Sequence, residues 1–223
     1  MTERLLGTPE GRAAELAAAS AAKRARLAVG QRAVYCAVLR AFAATGRPPE
    51  PAELEEAAQS HGLDVVQTLA GLAAVDVLGL DSLGRIRMAY PFSASPTAHI
   101  VTIADGPRVY AMCAIDALGI PAMLHADAVV TSSDPLTGDP VVVTFTGNTV
   151  SWHPPSAVAY AGYAGDGGPA EKVSCGYLNF FIDLSSAQKW ASRHNEVTGG
   201  SLDQLTAQEL GAEIFGRLLD NGG

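Results

Sequence analysis

The stretch YAMCAIDALGIPAML, Tyr110–Leu124, is apolar almost throughout, yet it carries a cysteine and an aspartate three positions apart. The apolar residues around that pair, Val109, Met112, Ala114, Ile115, Leu118 and Ile120, cover most of a helical circumference. Residues 108–119 therefore read as a buried helix that stops ahead of Pro121. Positions three apart share a helix face, so Cys113 and Asp116 meet. A buried carboxylate without partners is costly and responds by raising its pKa. Beside a thiol it can take the thiol proton and later give it up. The plainer alternative is a small core cysteine next to a buried acid satisfied by hydrogen bonds. Spacing alone does not choose between them.

The segments that follow give the fold class. AHIVTI, ADAVVTS, PVVVTF and SAVAYAGY read as strands, joined by ADGP and DPLTG turns, and a further strand follows Gly147-Asn148. GDGGPAEK (165–172) reads as a mobile Gly-rich loop, and VSCGYLNFFIDL as a strand holding Cys175. Two capping boxes, Ser185 with Gln188 and Thr206 with Glu209, open two late helices. Hairpins mixed with helices make residues 91–223 an α+β core with a mixed or antiparallel sheet and flanking helices.

Ahead of it, 31–45 has helical apolar spacing at Val34, Val38, Leu39 and Phe42. GRPPEP breaks the chain, 51–60 reads as a second helix, and 65–75 as a third capped by Asp64. A hairpin around DSLG follows. Residues 31–90 thus form a winged-helix-like module, and the Ala-rich residues 1–30 a helical or frayed extension. Winged helices often bind DNA through the third helix. Here that helix has no Lys or Arg and is flanked by Asp64 and Asp76, which leaves little phosphate attraction. A packing module is the better reading.

With 223 residues there is chain enough for one large domain or two small ones. A net charge of −8 disfavours nucleic acid and anionic membranes as partners. No apolar run approaches the roughly 20 residues of a membrane span, and residues 1–32 show no secretory pattern. Three cysteines without paired spacing point to a reducing, cytoplasmic setting, with Cys36 a core residue of the 31–90 module. There is no C-x-x-C or H-x₃₋₅-H pattern, and His61, His99, His125, His153 and His194 are scattered. A closed zinc site is thus disfavoured. Two thiolates suit a soft, thiophilic metal. Neither a P-loop nor a GxGxxG motif occurs.

RVYAMCAIDALGIPAML resembles the signature segment of the organomercurial (alkylmercury) lyases, Arg-x-Tyr-Ala-x-Cys-Ala-x-Asp followed by Pro-Ala. SSDPLTGDPVVVT resembles that family's hairpin, and SCGYLNFFIDLSSAQKWASRH its Cys-x₄-Phe-Phe strand and following helix. The likeness spans about residues 31–217, with the three motifs in family order. It implies that Cys113, Cys175 and Asp116 carry protonolysis of a carbon–mercury bond, with mercuric ion left between the two sulfurs as product. No organic cofactor is required. The implied partners are an organomercurial substrate and, as acceptor of the metal in mercuric resistance, cellular thiols or a mercuric reductase. Tyr110, Phe180 and Phe181 are expected to shape an apolar substrate pocket. Gly176, Met112 and Asp134 depart from residues found in some members, which leaves substrate range and product handling open. Two rivals stand beside the lyase: a non-catalytic binder of thiophilic metal, and an enzyme of the same fold turned to another carbon–heteroatom cleavage.

Overall fold

The computed structural model describes residues 9–165 and 167–220. Helices α1 (Pro9–Ala25) and α2 (Val29–Thr45) come first. A 3-10 turn (Pro51–Leu54) follows, with α3 (Glu55–Gln59) and α4 (Val65–Ala74). As expected, Asp64 caps α4, accepting a hydrogen bond from the Gln67 amide. The hairpin of β1 (Leu78–Leu80) and β2 (Ile86–Ala89) is not a free-standing unit. Through β3 (Phe92–Ser93) it joins β5 (Arg108–Ala111), β4 (His99–Ile103), β6 (Ala128–Ser133), β7 (Pro140–Thr146) and β8 (Thr149–His153). These eight strands form one antiparallel sheet in the order β1-β2-β3-β5-β4-β6-β7-β8.

A second antiparallel sheet places β9 (Val158–Ala164) between β10 (Leu178–Phe181) and β11 (Val197–Leu202). Helix α5 (Ala114–Leu124) lies buried among β4, β5, β10 and the last helix, α8 (Gln204–Phe215). Helices α5 and α8 touch backbone to backbone. A Cβ on Gly119 would come within 2.9 Å of the Gly211 carbonyl and 2.3 Å of the Phe215 ring. Only glycine permits that approach. The architecture is α+β with antiparallel sheets and flanking helices, and one continuous hydrophobic core runs from Ala13 to Phe215.

Several local expectations are corrected. Residues 108–111 are strand β5, not the start of a helix. Their burial alternates, and they pair with both β3 and β4. The helix begins only at Ala114 and runs through Pro121 to Leu124. The hydrogen bond that proline forfeits is outweighed by burial of Ile120, Pro121 and Met123 on a helix enclosed nearly all round. Cys175 is not in a strand: it opens a 3-10 turn (Cys175–Tyr177), and β10 starts at Leu178.

The second half of the Gly-rich segment forms a short helix, α6 (Ala170–Val173), instead of a loose loop. Helix α7 (Leu184–Ala191) is capped by Asp183, and α8 by Asp203, instead of by the expected Ser185 and Thr206 boxes. In both, a carboxylate just upstream takes the first free amides and complements the helix dipole better than a hydroxyl. The Ala-rich segment is helical from Pro9 and buries Ala13 and Ala17; its first eight residues lie outside the described residues.

Candidate active site

Cys113 sits where β5 ends and α5 begins. Its backbone is extended (φ −157°, ψ 178°), which makes it the N-cap of α5, and its Sγ accepts the Asp116 amide at 3.4 Å. Asp116 is the third residue of the helix. The cysteine and the carboxylate therefore meet as cap and first turn, not as two positions along one helix face. Cys175 arrives from the turn between α6 and β10. All three are buried, at 1%, 6% and 7% exposure for Cys113, Asp116 and Cys175. Both sulfurs and a carboxylate oxygen of Asp116 lie within 4.8 Å of one another.

A cavity of about 70 Å³ opens onto this trio. Tyr90, Ile115, Leu178 and Phe215 supply apolar wall, and Leu16, Ser20, Lys23 and Arg24 of α1 cover it. Asp76, at a positive φ of 57°, accepts from both Lys23 Nζ and the Ala170 amide. One carboxylate thus joins α1, the chain following α4, and the segment leading to Cys175. Arg87 pairs with Glu171 beside it.

Burial pushes the Asp116 carboxyl up to about 7, against lowering pulls from Cys113 and Lys23. Its Oδ2 has no hydrogen-bond partner among the described residues. Burial, then Cys175 and Asp116, drive the Cys113 thiol well above its ordinary value, and the Asp116 amide only partly offsets this. Cys113 thus rests as a thiol, beside a carboxyl able to hold or release a proton near neutrality. The donor set is sulfur-rich and compact, the chemistry a soft metal prefers.

The aromatic residues expected around the pocket lie elsewhere. Phe180 packs edge-on against His99 and Trp152, at 5.8 and 5.5 Å between ring centroids. Phe181 belongs to a separate cluster with Tyr160 and Trp190. Tyr110 is half-buried on β5 opposite Ser93 and Ile100. None of the three lines the cavity. Asp134 lies in a different place, where it accepts from the Leu136, Thr137 and Ile182 amides and from Ser186 Oγ. Sequence reasoning missed Tyr90, Asp76 and Lys23. Nothing local in the sequence marked any of the three as a site residue.

Comparison with known proteins gives a consistent picture. The alkylmercury lyase family profile matches residues 92–216. The alkylmercury lyase of Staphylococcus epidermidis is 29% identical over 174 residues, 78% of this chain and 79% of that one. That of Bacillus cereus is 28% identical over 73% of each chain. That of Streptomyces lividans is 29% identical over 76% of this chain and 77% of its own. In structure, the mercury-bound form of MerB2 superposes with a TM-score of 0.77, at 21% identity, covering 92% of this chain and 99% of that one, which speaks to the fold. With the profile spanning more than half its length, the chain belongs to the alkylmercury lyase family.

Proposed function

We propose that the protein is an organomercurial lyase, cleaving carbon–mercury bonds by protonolysis with Cys113, Cys175 and Asp116. One observation carries this reading: a buried carboxyl with an unpartnered oxygen stands within 4.8 Å of two buried thiols. A site that only bound metal would need the sulfurs and gain nothing from an orphaned acid. In the first step one cysteine captures R–Hg⁺, and its proton leaves. The second sulfur then joins the metal, and its donation makes the carbon more carbanion-like. Asp116 collects the second thiol's proton and delivers it to that carbon. R–H departs, and mercuric ion remains between Cys113 and Cys175. Thiolates are the natural ligands of a soft metal, and an acid titrating near 7 is well matched to proton transfer at neutral pH.

The reaction as drawn needs no organic cofactor. Cellular thiols or a mercuric reductase would take the mercuric ion, in a cytoplasmic mercuric-resistance setting. No single helix among the described residues is long and apolar enough to cross a membrane. We assign residues 31–90 to a winged-helix-like module that packs and does not read nucleic acid, residues 1–30 to an extension, and 91–223 to the catalytic core. Support for the packing role comes from α4, which carries no cation and buries Val65, Leu69 and Leu72. The pocket wall, expected from Tyr110, Phe180 and Phe181, we assign instead to Tyr90, Ile115, Leu178 and Phe215.

The test is incubation with phenylmercury and excess thiol, measuring benzene and mercuric ion. Catalytic benzene release is expected. Stoichiometric mercury uptake with no hydrocarbon would overturn the lyase in favour of a thiophilic-metal binder.

A further inference from the structure

Among the described residues that line the cavity, only two bear a buried polar side-chain atom without a hydrogen-bond partner: Asp116 at Oδ2 and Tyr90 at its hydroxyl. The mechanism uses the first. The second is an O–H donor, and an unsatisfied buried hydroxyl is costly unless something arrives to use it. Tyr90 lies outside the segment that matches the family profile. It is held firmly in place: Tyr35 donates to the Tyr90 carbonyl at 2.6 Å, and Lys23 Nζ sits 5.9 Å from the ring centroid. Backbone and ring are thus both held, at the wall of the cavity.

Tyr90 and Cys175 line the same cavity of about 70 Å³, and the Tyr90 hydroxyl has no hydrogen-bond partner among the described residues. Burial first, then Cys175, pushes the pKa of that hydroxyl up. The sulfurs also differ in how they are held. Cys113 Sγ is fixed by the Asp116 amide at the head of a buried helix. Cys175 sits on a short 3-10 turn behind a Gly-rich segment, with Cys113 beside it and Tyr90 on the wall of the same cavity. A mercury atom bonded to one sulfur needs the second brought to it in a fixed direction. Cys175 is the sulfur whose direction the backbone leaves less determined.

We propose that Tyr90 is a positioning residue of the reaction: once mercury is captured, its unpartnered hydroxyl donates to the Cys175 sulfur and turns it toward Cys113, so that both sulfurs reach one mercury atom. This rests on the lyase reading above. The ring supplies wall, and the hydroxyl supplies direction. The bonds made and broken are those already described; Tyr90 keeps its proton throughout.

Tyr90→Phe removes the hydroxyl and keeps the ring, and three measurements on the full chain separate the possibilities. The variant should capture phenylmercury with wild-type stoichiometry and melt at the wild-type temperature or above, because an unsatisfied donor has gone. Its single-turnover release of benzene should be about tenfold slower. Loaded with mercuric ion, it should surrender the metal to dithiothreitol several-fold faster. Benzene release at the wild-type rate would overturn the proposal, as would a slow variant that also melts lower or captures less phenylmercury. If the wild type itself releases no benzene, the lyase reading fails. Tyr90 is then judged by metal retention alone, and equal retention in the two proteins refutes its role.

Discussion

Two buried carboxylates in this molecule have opposite surroundings. Asp134, 1% exposed, receives three backbone amides and a serine hydroxyl. It ties the β6–β7 turn to the start of α7, and its hydrogen-bonding capacity is largely spent. Asp116, 6% exposed, leaves one oxygen with no partner and lies against two thiols and a cavity. Burial alone therefore says little about what an acid is for. The satisfied one is structural cement. The unsatisfied one carries a folding cost that the proposed proton transfer would explain.

The sharpest way to break this contrast is Asp116→Asn. Hydrocarbon release should fall by 10²–10⁴-fold, the range of a lost general acid, while mercury is still bound stoichiometrically. Near-normal turnover would remove Asp116 from the proton path. The second expectation concerns stability against pH. In the folded protein Asp116 titrates at about 7, above the unfolded value near 3.8, so the folded state binds more protons between those limits. Its contribution is fully present below pH 4 and is lost as pH rises through 7. The loss amounts to at most about 4 kcal/mol. Urea melts of wild type and Asp116→Asn across pH 4–9 should show that slope in the first only. At pH 8 the inactive variant should be the more stable protein; parallel curves would mean that Asp116 is satisfied after all.

Asp134→Ala reverses the pattern. Stranding the Ile182, Leu136 and Thr137 amides should cost about 3 kcal/mol in denaturant unfolding, with turnover per folded molecule nearly unchanged. A stable but inactive Asp134→Ala would place that acid in the reaction and collapse the comparison. The smallest effect is expected at Cys36, the cysteine away from the site, fully buried with Sγ 3.5 Å from the Leu218 carbonyl. Cys36→Ser should cost about 1 kcal/mol and leave benzene release intact. A folded, inactive Cys36→Ser would show that this residue had been misread.

Residues 110–124 show how far the sequence carried the reading. The pair Cys113 and Asp116 was legible from spacing, although three positions apart turned out to mean cap and first turn. What hid the strand at 108–111 was the apolar run that continues it: alternation over four residues is easily absorbed into a longer helical pattern. Cys175 could be linked to the pair only through resemblance, because no local pattern spans sixty residues of intervening sheet. Phe180 and Phe181 looked like pocket residues because they follow Cys175 closely. Yet alternation along β10 sends Phe181 to a separate aromatic cluster, while Phe180 joins the main core beside Leu178 without itself lining the cavity. Tyr90, Lys23 and Asp76 were invisible as site residues since each arrives from a separate element, brought in by tertiary packing.

The size of the cavity bears on time. At about 70 Å³ it is roughly half the ~150 Å³ in which an engineered protein pocket holds benzene. An aryl group therefore needs more room than the walls provide as they stand. The walls nearest the trio, α1 and the approach to Cys175, are tied together through Asp76, and Arg87–Glu171 ties the latter to β2. On the lyase reading, release of these contacts is expected to pace turnover of bulky organic groups, and bond cleavage that of the smallest alkyl groups.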